Sequence, residues 1–405
     1  MKAPNMQILG WSILILSFGA LLHSYVLYPF IMRLLARKKQ LNDSVHLLED
    51  IDLPFVSIIS SLYNEEAVIA EKLDSLFNLQ YPDNKINFYF GSDCSSDCTN
   101  TIIEERTRDR SNFYFFPFRD RRGKPPVIND LVERARRNFQ AQEDHILIIT
   151  DANVMLSPDT VFLLVRHFKN PNISLVDAHM KHIGMRAKGI SQAENQYISS
   201  EVMLKHWEGV AWQTMMGPFG GCYAIRAELY TPVPPNSLVD DFYIAMKVFE
   251  QGGRAINELK AICYEAVSHE IKEEYRRKRR IASGNFQNMA RFVKLWWPPS
   301  GKIGFSFFSH KILRWLGPFF LIGMIIGVLL LSLNENLFAI LMLGLLGIGF
   351  ILFPIVDILL SKLKINILPL RGIRYFILMN VALLEGFFKY LKGIKSNVWQ
   401  PPKRN

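Results

Sequence analysis

Apolar residues follow two rhythms along this chain: short runs of five to seven in the middle and much longer runs at both ends. The short runs Val56 to Ser60, Ile86 to Phe90 and Asn112 to Phe118 read as strands, and amphipathic stretches with charged residues separate them. His145 to Ile149 is β-branched and apolar on both faces, which predicts a central parallel strand. A helix running through Phe77 follows the turn Leu62 to Glu66, and a second helix follows Arg121 to Lys124. Such alternation between residues 54 and 285 predicts one α/β domain.

The long runs predict membrane segments. Ile8 to Met32 is almost wholly apolar, enough to cross a hydrocarbon layer of about 30 Å. A secretory leader would carry its basic residues in front, whereas here Arg33, Arg37, Lys38 and Lys39 follow, so the domain after them is expected in the cytoplasm. Asn42 to Leu53 reads as a polar linker, and Phe292 to Trp297 with Pro298 and Pro299 as an interfacial segment. Leu313 to Leu333 and Leu337 to Leu360 are two expected spans joined by Asn334 to Asn336. Tyr375 to Phe388 is marginal in length and flanked by basic residues on both sides, which leaves open whether it crosses. Asp357 and Glu385 lie in or beside these segments, where an ionisable group serves either function or a snorkelling helix end. The expected order is a membrane anchor (1–40), a cytosolic domain (54–285), an interfacial segment (286–310), a transmembrane region (311–395) and a basic tail (396–405). That describes a multi-pass protein of the plasma (inner) membrane, in contact with its lipids.

Composition agrees with the membrane reading: of 405 residues 49% are hydrophobic, and mean hydropathy is +0.10. The net charge of +10 falls in clusters beside apolar segments or acidic motifs rather than along one helix face, which argues against nucleic-acid binding. The four cysteines are too scattered for a disulfide framework, and Cys94 and Cys98 lack a second pair at zinc spacing. A reducing compartment is the simpler setting.

Candidate chemistry collects where the strands end. Asp151-Ala152-Asn153 puts a carboxylate and an amide two residues apart at a carboxyl end, where open α/β sheets bind ligands. These oxygens suit Mg²⁺ or Mn²⁺, though a plain Asp-Ala-Asn turn has the same sequence. Two earlier strands also end in polar clusters, at Tyr63-Asn64-Glu65-Glu66 and at Ser92-Asp93, and Arg121 to Lys124 follows a third. A structural protein has no reason to repeat this, which favours a site. Downstream, Gly220, Gly221 and Cys222 allow close backbone approach, or only a turn. Asp240-Asp241 is either an acid pair with one pKa raised toward that of a general base, or a helix cap. The basic run Arg276 to Arg280 binds lipid head groups or a pyrophosphate, and guanidinium forks suit the latter better.

In this order the motifs resemble the membrane-bound family 2 glycosyltransferases, the inverting, nucleotide-sugar-using group that includes hyaluronan, chitin and cellulose synthases. The resemblance implies a GT-A-like, Rossmann-type cytosolic domain inserted between an N-terminal transmembrane helix and a C-terminal helical region. It further implies that Tyr63, Glu65, Asp93, Lys124 and Asp151 bind the nucleotide-sugar, with Asp93 on uracil. Cysteines stand at 94 and 98 where the family has glycines. Asp151-Ala152-Asn153 holds the D-x-D position with an amide for the second acid, so Asp151 and Asn153 are the implied metal ligands. Gly220, Gly221 and Cys222 fall in the acceptor segment, and Asp241, beside Asp240, on the catalytic base. The Q-x-x-R-W motif keeps Arg280 but has Arg277 for Gln and Ile281 for Trp, which bears against long-chain processivity. The implied reaction inverts a UDP-sugar onto a saccharide or lipid-linked acceptor in cell-surface or exopolysaccharide synthesis, with polysaccharide-export partners. The alternatives are a lipid glycosyltransferase that adds one sugar and a membrane-anchored nucleotide sensor without turnover.

Overall fold

The computed structural model describes residues 4–139, 144–183, 190–266, 271–333, 337–363, 365 and 367–394, and the chain divides into two units. Leu35–Met185 and Lys205–Glu273 make an α/β unit, and Met1–Leu34, Arg186–Leu204 and Glu274–Lys392 make a helical one.

The α/β unit is built on one eight-stranded sheet. Its strands are β1 (Phe55–Leu62), β2 (Ile86–Asp93), β3 (Phe113–Phe118), β4 (His145–Thr150), β5 (Val154–Leu156), β6 (Ile173–Ile183), β7 (Cys222–Arg226) and β8 (Arg254–Ala266), in the order β3-β2-β1-β4-β7-β6-β8-β5. Strands β3, β2, β1 and β4 are mutually parallel, so all four deliver their carboxyl ends to one edge. The expectation of a purely parallel setting for β4 is corrected on its other side, where it pairs antiparallel with β7. That reversal matters: Thr150 lies opposite Cys222, so the amino end of β7, with Gly220 and Gly221 before it, reaches the edge where β4 ends. Ile146 to Ile149 are fully buried, as strands covered on both faces require, and each such side chain contributes roughly 1.5–3 kcal/mol. The stretch read as a linker is tied down, because Asn42 donates to the His167 carbonyl and Lys169 to Asp50.

In the helical unit two helices are long and apolar enough to cross a membrane, Asn5–Ala36 and Leu337–Lys362, among the described residues. The expected span Leu313 to Leu333 is corrected: it belongs to a pair, Gly301–Trp315 and Gly317–Ser332, bent by 64°. Pro318, in the first turn of the second helix, has no N–H to continue the first. Asn334 to Asn336 and the tail 396–405 lie outside the described residues. Tyr375 to Phe388 falls inside the helix Leu368–Leu391, which is not among the candidate spans. Its Arg371 and Arg374 pair with buried Asp357, at 3.6 and 3.0 Å. Glu385 pairs with Arg279 at 3.2 Å. The N-terminal helix crosses Gly317–Ser332 where two glycines meet, and a Cβ on Gly327 would lie 2.9 Å from the Gly10 carbonyl. Glu201 is buried among His310, Lys311 and Arg314.

Candidate active site

At the carboxyl edge of the sheet, two loops are laced together. Asn64, after β1, accepts the Ser96 N–H at 2.9 Å, and its own N–H reaches Ser95 Oγ at 3.1 Å. Glu66 accepts the Cys98 N–H at 3.0 Å, and the Glu65 N–H donates to Thr99 Oγ1 at 2.8 Å. Tyr63 presents its ring to the Arg121 guanidinium, 3.3 Å from the ring centre. Cys94 stands at φ +60°, a region glycine enters freely, so the glycine the family keeps there has a backbone reason. Both cysteines are free.

Asp93, at the end of β2, is buried and accepts the N–H groups of Arg122 at 2.7 Å and Gly123 at 2.8 Å. Its carboxylate therefore folds the loop after β3 back onto β2. The loop leads into the helix Lys124–Asn138, which starts on Lys124 with prolines in its first turn.

Lys124 is the centre of the site. Its ammonium lies 2.7 Å from Asp151 Oδ1 and 3.4 Å from Asp240 Oδ2. Burial alone would lower its pKa, but Asp151, Asp240 and Asp241 outweigh burial and hold it above the usual lysine range. Asp151 follows β4, and its N–H donates to the Gly221 carbonyl at 3.1 Å. Asn153 donates from Nδ2 to Glu265 at 3.1 Å.

Asp240 and Asp241 open the helix Asp240–Glu250, whose N-cap is Val239. Neither acid is therefore the cap, and both sit in the first turn, where the helix dipole favours negative charge. Asp241 Oδ1 accepts the Phe242 N–H at 2.8 Å. Burial, and then the charge of Asp240, push the Asp241 carboxyl from its ordinary 3.8 to about 7, against the pull of Lys124. Its other oxygen lies against Gly220: a Cβ there would come within 2.5 Å of Oδ2, and the φ of +85° excludes a side chain as well. Cys222 is buried on β7, and its thiol is pushed up to about 12 by burial, so it is inert at neutral pH.

Asp151, Asp240, Asp241 and Gly220 thus meet around Lys124, while Tyr63 and Glu65, after β1, and Asp93, at the end of β2, lie on the same edge of the sheet. Arg277 and Arg280 belong to the helix Ile271–Arg291 of the other unit. Sequence reasoning missed the supports beneath the Gly220 loop. Asp177, fully buried on β6, binds Lys205 at 2.8 Å and accepts the Phe219 N–H at 3.3 Å. Lys205 also sits 3.6 Å over the Phe219 ring, and Glu208 accepts the Met216 N–H at 3.0 Å. An acid inside the apolar run Ile173 to Ala178 was the available signal.

A family model described as "Glycosyl transferase family group 2" matches residues 145–356, just over half of the chain, and "Glycosyl transferase family 2" matches 57–230. The chain is a family 2 glycosyltransferase. Its fold is that of a mannosyltransferase from Pyrobaculum calidifontis, solved with GDP-Man and Mn²⁺, with a TM-score of 0.69 at 21% identity over 95% of this chain and 99% of that one. Among curated relatives, a poly-β-1,6-N-acetyl-D-glucosamine synthase of Staphylococcus epidermidis is 29% identical over 122 residues, 30% of this glycosyltransferase and 27% of the relative. A β-monoglucosyldiacylglycerol synthase of Trichormus variabilis is 25% identical over 176 residues, 43% of this chain and 34% of the relative. The match thus spans about a third or less of the length of each. The fold is GT-A-like, on a mixed sheet.

Proposed function

We propose that this glycosyltransferase is a membrane-bound inverting enzyme that moves a sugar from a UDP-sugar to a polysaccharide or membrane-associated acceptor on the cytosolic side. The observation that carries the reading is the meeting of Asp151, Asp240 and Asp241 around Lys124, with the Asp241 carboxyl raised to about 7. A group titrating there is matched to take a proton at neutral pH. In the reaction the acceptor oxygen bonds to the anomeric carbon from the face opposite the leaving group, the bond to the diphosphate breaks, and the acceptor's proton passes to Asp241. Gly220 leaves room beside that carboxylate, and Asp240 keeps it basic. The stacked pair Tyr63 and Arg121 offers the donor a planar surface next to Asp93.

A divalent cation fits these residues. Asp151 and Asp240 both lie within ion-pair distance of the Lys124 ammonium, and Asp241 stands beside them, so carboxylate oxygens, which suit a hard divalent cation, are concentrated at one point. Asp151 would hold the ion with Asn153, which keeps its Oδ1 while Nδ2 is tied to Glu265. When bound, Mg²⁺ or Mn²⁺ supplies electrostatic stabilisation of the departing diphosphate. The family motif alone gives Arg277 and Arg280 a part in the same task.

Two products remain in contention, each favoured by one relative. The polymer synthase among the relatives supports polysaccharide synthesis, to which we add a cell-surface destination and export partners. The diacylglycerol relative, and Ile281 where the family has tryptophan, support addition of one sugar to a lipid. Membranes holding the protein are to be assayed with UDP-glucose, UDP-N-acetylglucosamine, UDP-galactose and GDP-mannose, and the products sized by mass spectrometry. Nucleotide release is expected in the wild type and absent in Asp241→Asn, which should still bind donor. Equal release by both proteins would sink the reading, and turnover of GDP-mannose alone would correct the nucleotide.

A further inference from the structure

The helix Ile69–Phe77 buries Ile69, Leu73 and Leu76, and Lys72 stands on the same face, fully buried, where the spacing calls for a hydrophobe. A buried ammonium is costly unless its donors are satisfied. Its Nζ donates to Thr150 Oγ1 at 3.0 Å and to the Val154 carbonyl. These residues stand just before Asp151 and just after Asn153, so one cation brackets the turn that carries both. The Thr150 hydroxyl in turn donates to the Gly221 carbonyl at 2.9 Å, the same oxygen that accepts the Asp151 N–H. Gly221 adjoins Gly220, which lies against the Asp241 carboxylate.

Neither bonded partner of Lys72 is a carboxylate. Fold stability gives no reason for the charge, since a well-packed hydrophobe is often as good or better at such a position. What the lysine adds is connection. We propose that Lys72 is a positioning residue for sugar transfer, its buried ammonium clamping the Asp151 turn to the Gly220–Gly221 segment so that the donor side and the base side keep a fixed spacing. The clamp rests on the sugar-transfer reading above. It acts through Thr150, Val154 and Gly221, and touches neither substrate nor the reacting atoms.

The test is Lys72→Met in the full-length protein, with Thr150→Val as the second variant, because valine keeps the shape and removes the hydroxyl that joins Lys72 to Gly221. Three quantities are read: the melting temperature, binding of Mn²⁺ and of UDP followed directly by titration, and kcat/KM for the donor the wild type accepts. Lys72→Met is expected to melt at or above the wild-type temperature while Mn²⁺ affinity and kcat/KM drop roughly 10- to 100-fold, the usual effect of losing an outer support. Thr150→Val should move in the same direction. If Lys72→Met does not fold, Thr150→Val decides alone. Wild-type Mn²⁺ binding and kcat/KM in a folded variant would overturn the clamp and leave sugar transfer standing. A wild type that releases no nucleotide from any donor would take down both.

Discussion

Replacing Asp240 with Asn tests whether the acid pair sets the working pH. The Asp241 carboxyl is raised from its ordinary 3.8 to about 7, so its ionisation is disfavoured by several kcal/mol, at about 1.4 kcal/mol for each tenfold change in the equilibrium. Burial supplies the largest part, and the charge of Asp240 comes next. Asparagine keeps the volume and removes that charge, so the pKa of Asp241 should drop by about 1. A base works when deprotonated, so its rate rises with pH through its pKa. Moving the limb from about 7 to about 6 raises the active fraction at pH 6 about fivefold relative to the plateau, and leaves pH 8 nearly unchanged. The measurement is kcat/KM between pH 5 and 9 at one Mn²⁺ concentration for both proteins, each profile normalised to its own plateau; kcat/KM follows the free enzyme, and because a bound cation lowers both limbs, the difference between them is what is read. Absolute rates are expected to fall as well, since Asp240 also faces Lys124 at 3.4 Å. An acid limb in Asp240→Asn that coincides with the wild type's, or lies above it, would refute the assignment of Asp241 as a base tuned by Asp240.

Three further outcomes follow from contacts in the structure. Asp93→Ala orphans the N–H groups of Arg122 and Gly123, and should cost about 2–4 kcal/mol in denaturant unfolding while raising the donor KM. Gly220→Ala sets a methyl where the Asp241 oxygen lies, at a φ of +85°, and should reduce kcat at least 100-fold, with donor binding by calorimetry largely kept. Gly327→Val forces the Gly10 crossing apart and should lower the melting temperature in detergent, by an overpacking cost of about 1–3 kcal/mol.

Much of the fold was legible because strand and helix periods are local. Val56 to Ser60, Ile86 to Phe90 and His145 to Ile149 all fall within observed strands, and Asp93 and Asp151 stand where those strands end or just beyond. The antiparallel partner of β4 was not legible, because a run of residues buried on both faces looks the same in either direction. The bend at Gly317 and Pro318 was hidden for a related reason: hydropathy measures length and greasiness, not whether a helix stays straight. Lys72 was passed over as one more charge in an amphipathic stretch, although its position on the apolar face was visible in the spacing of Ile69, Leu73 and Leu76.

The sequence by itself determined the alternation of strand and helix, the apolar ends and the residue types at each strand terminus, since these depend on neighbours within a few positions. Only the tertiary structure decided which of those residues share an environment. Lys124 meets Asp151 and Asp240 across 27 and 116 positions of chain, and the burial that, ahead of the neighbouring Asp240 charge, raises the Asp241 pKa comes from packing that no local window contains. Electrostatic energy falls with distance in space, and separation along the backbone does not set that distance.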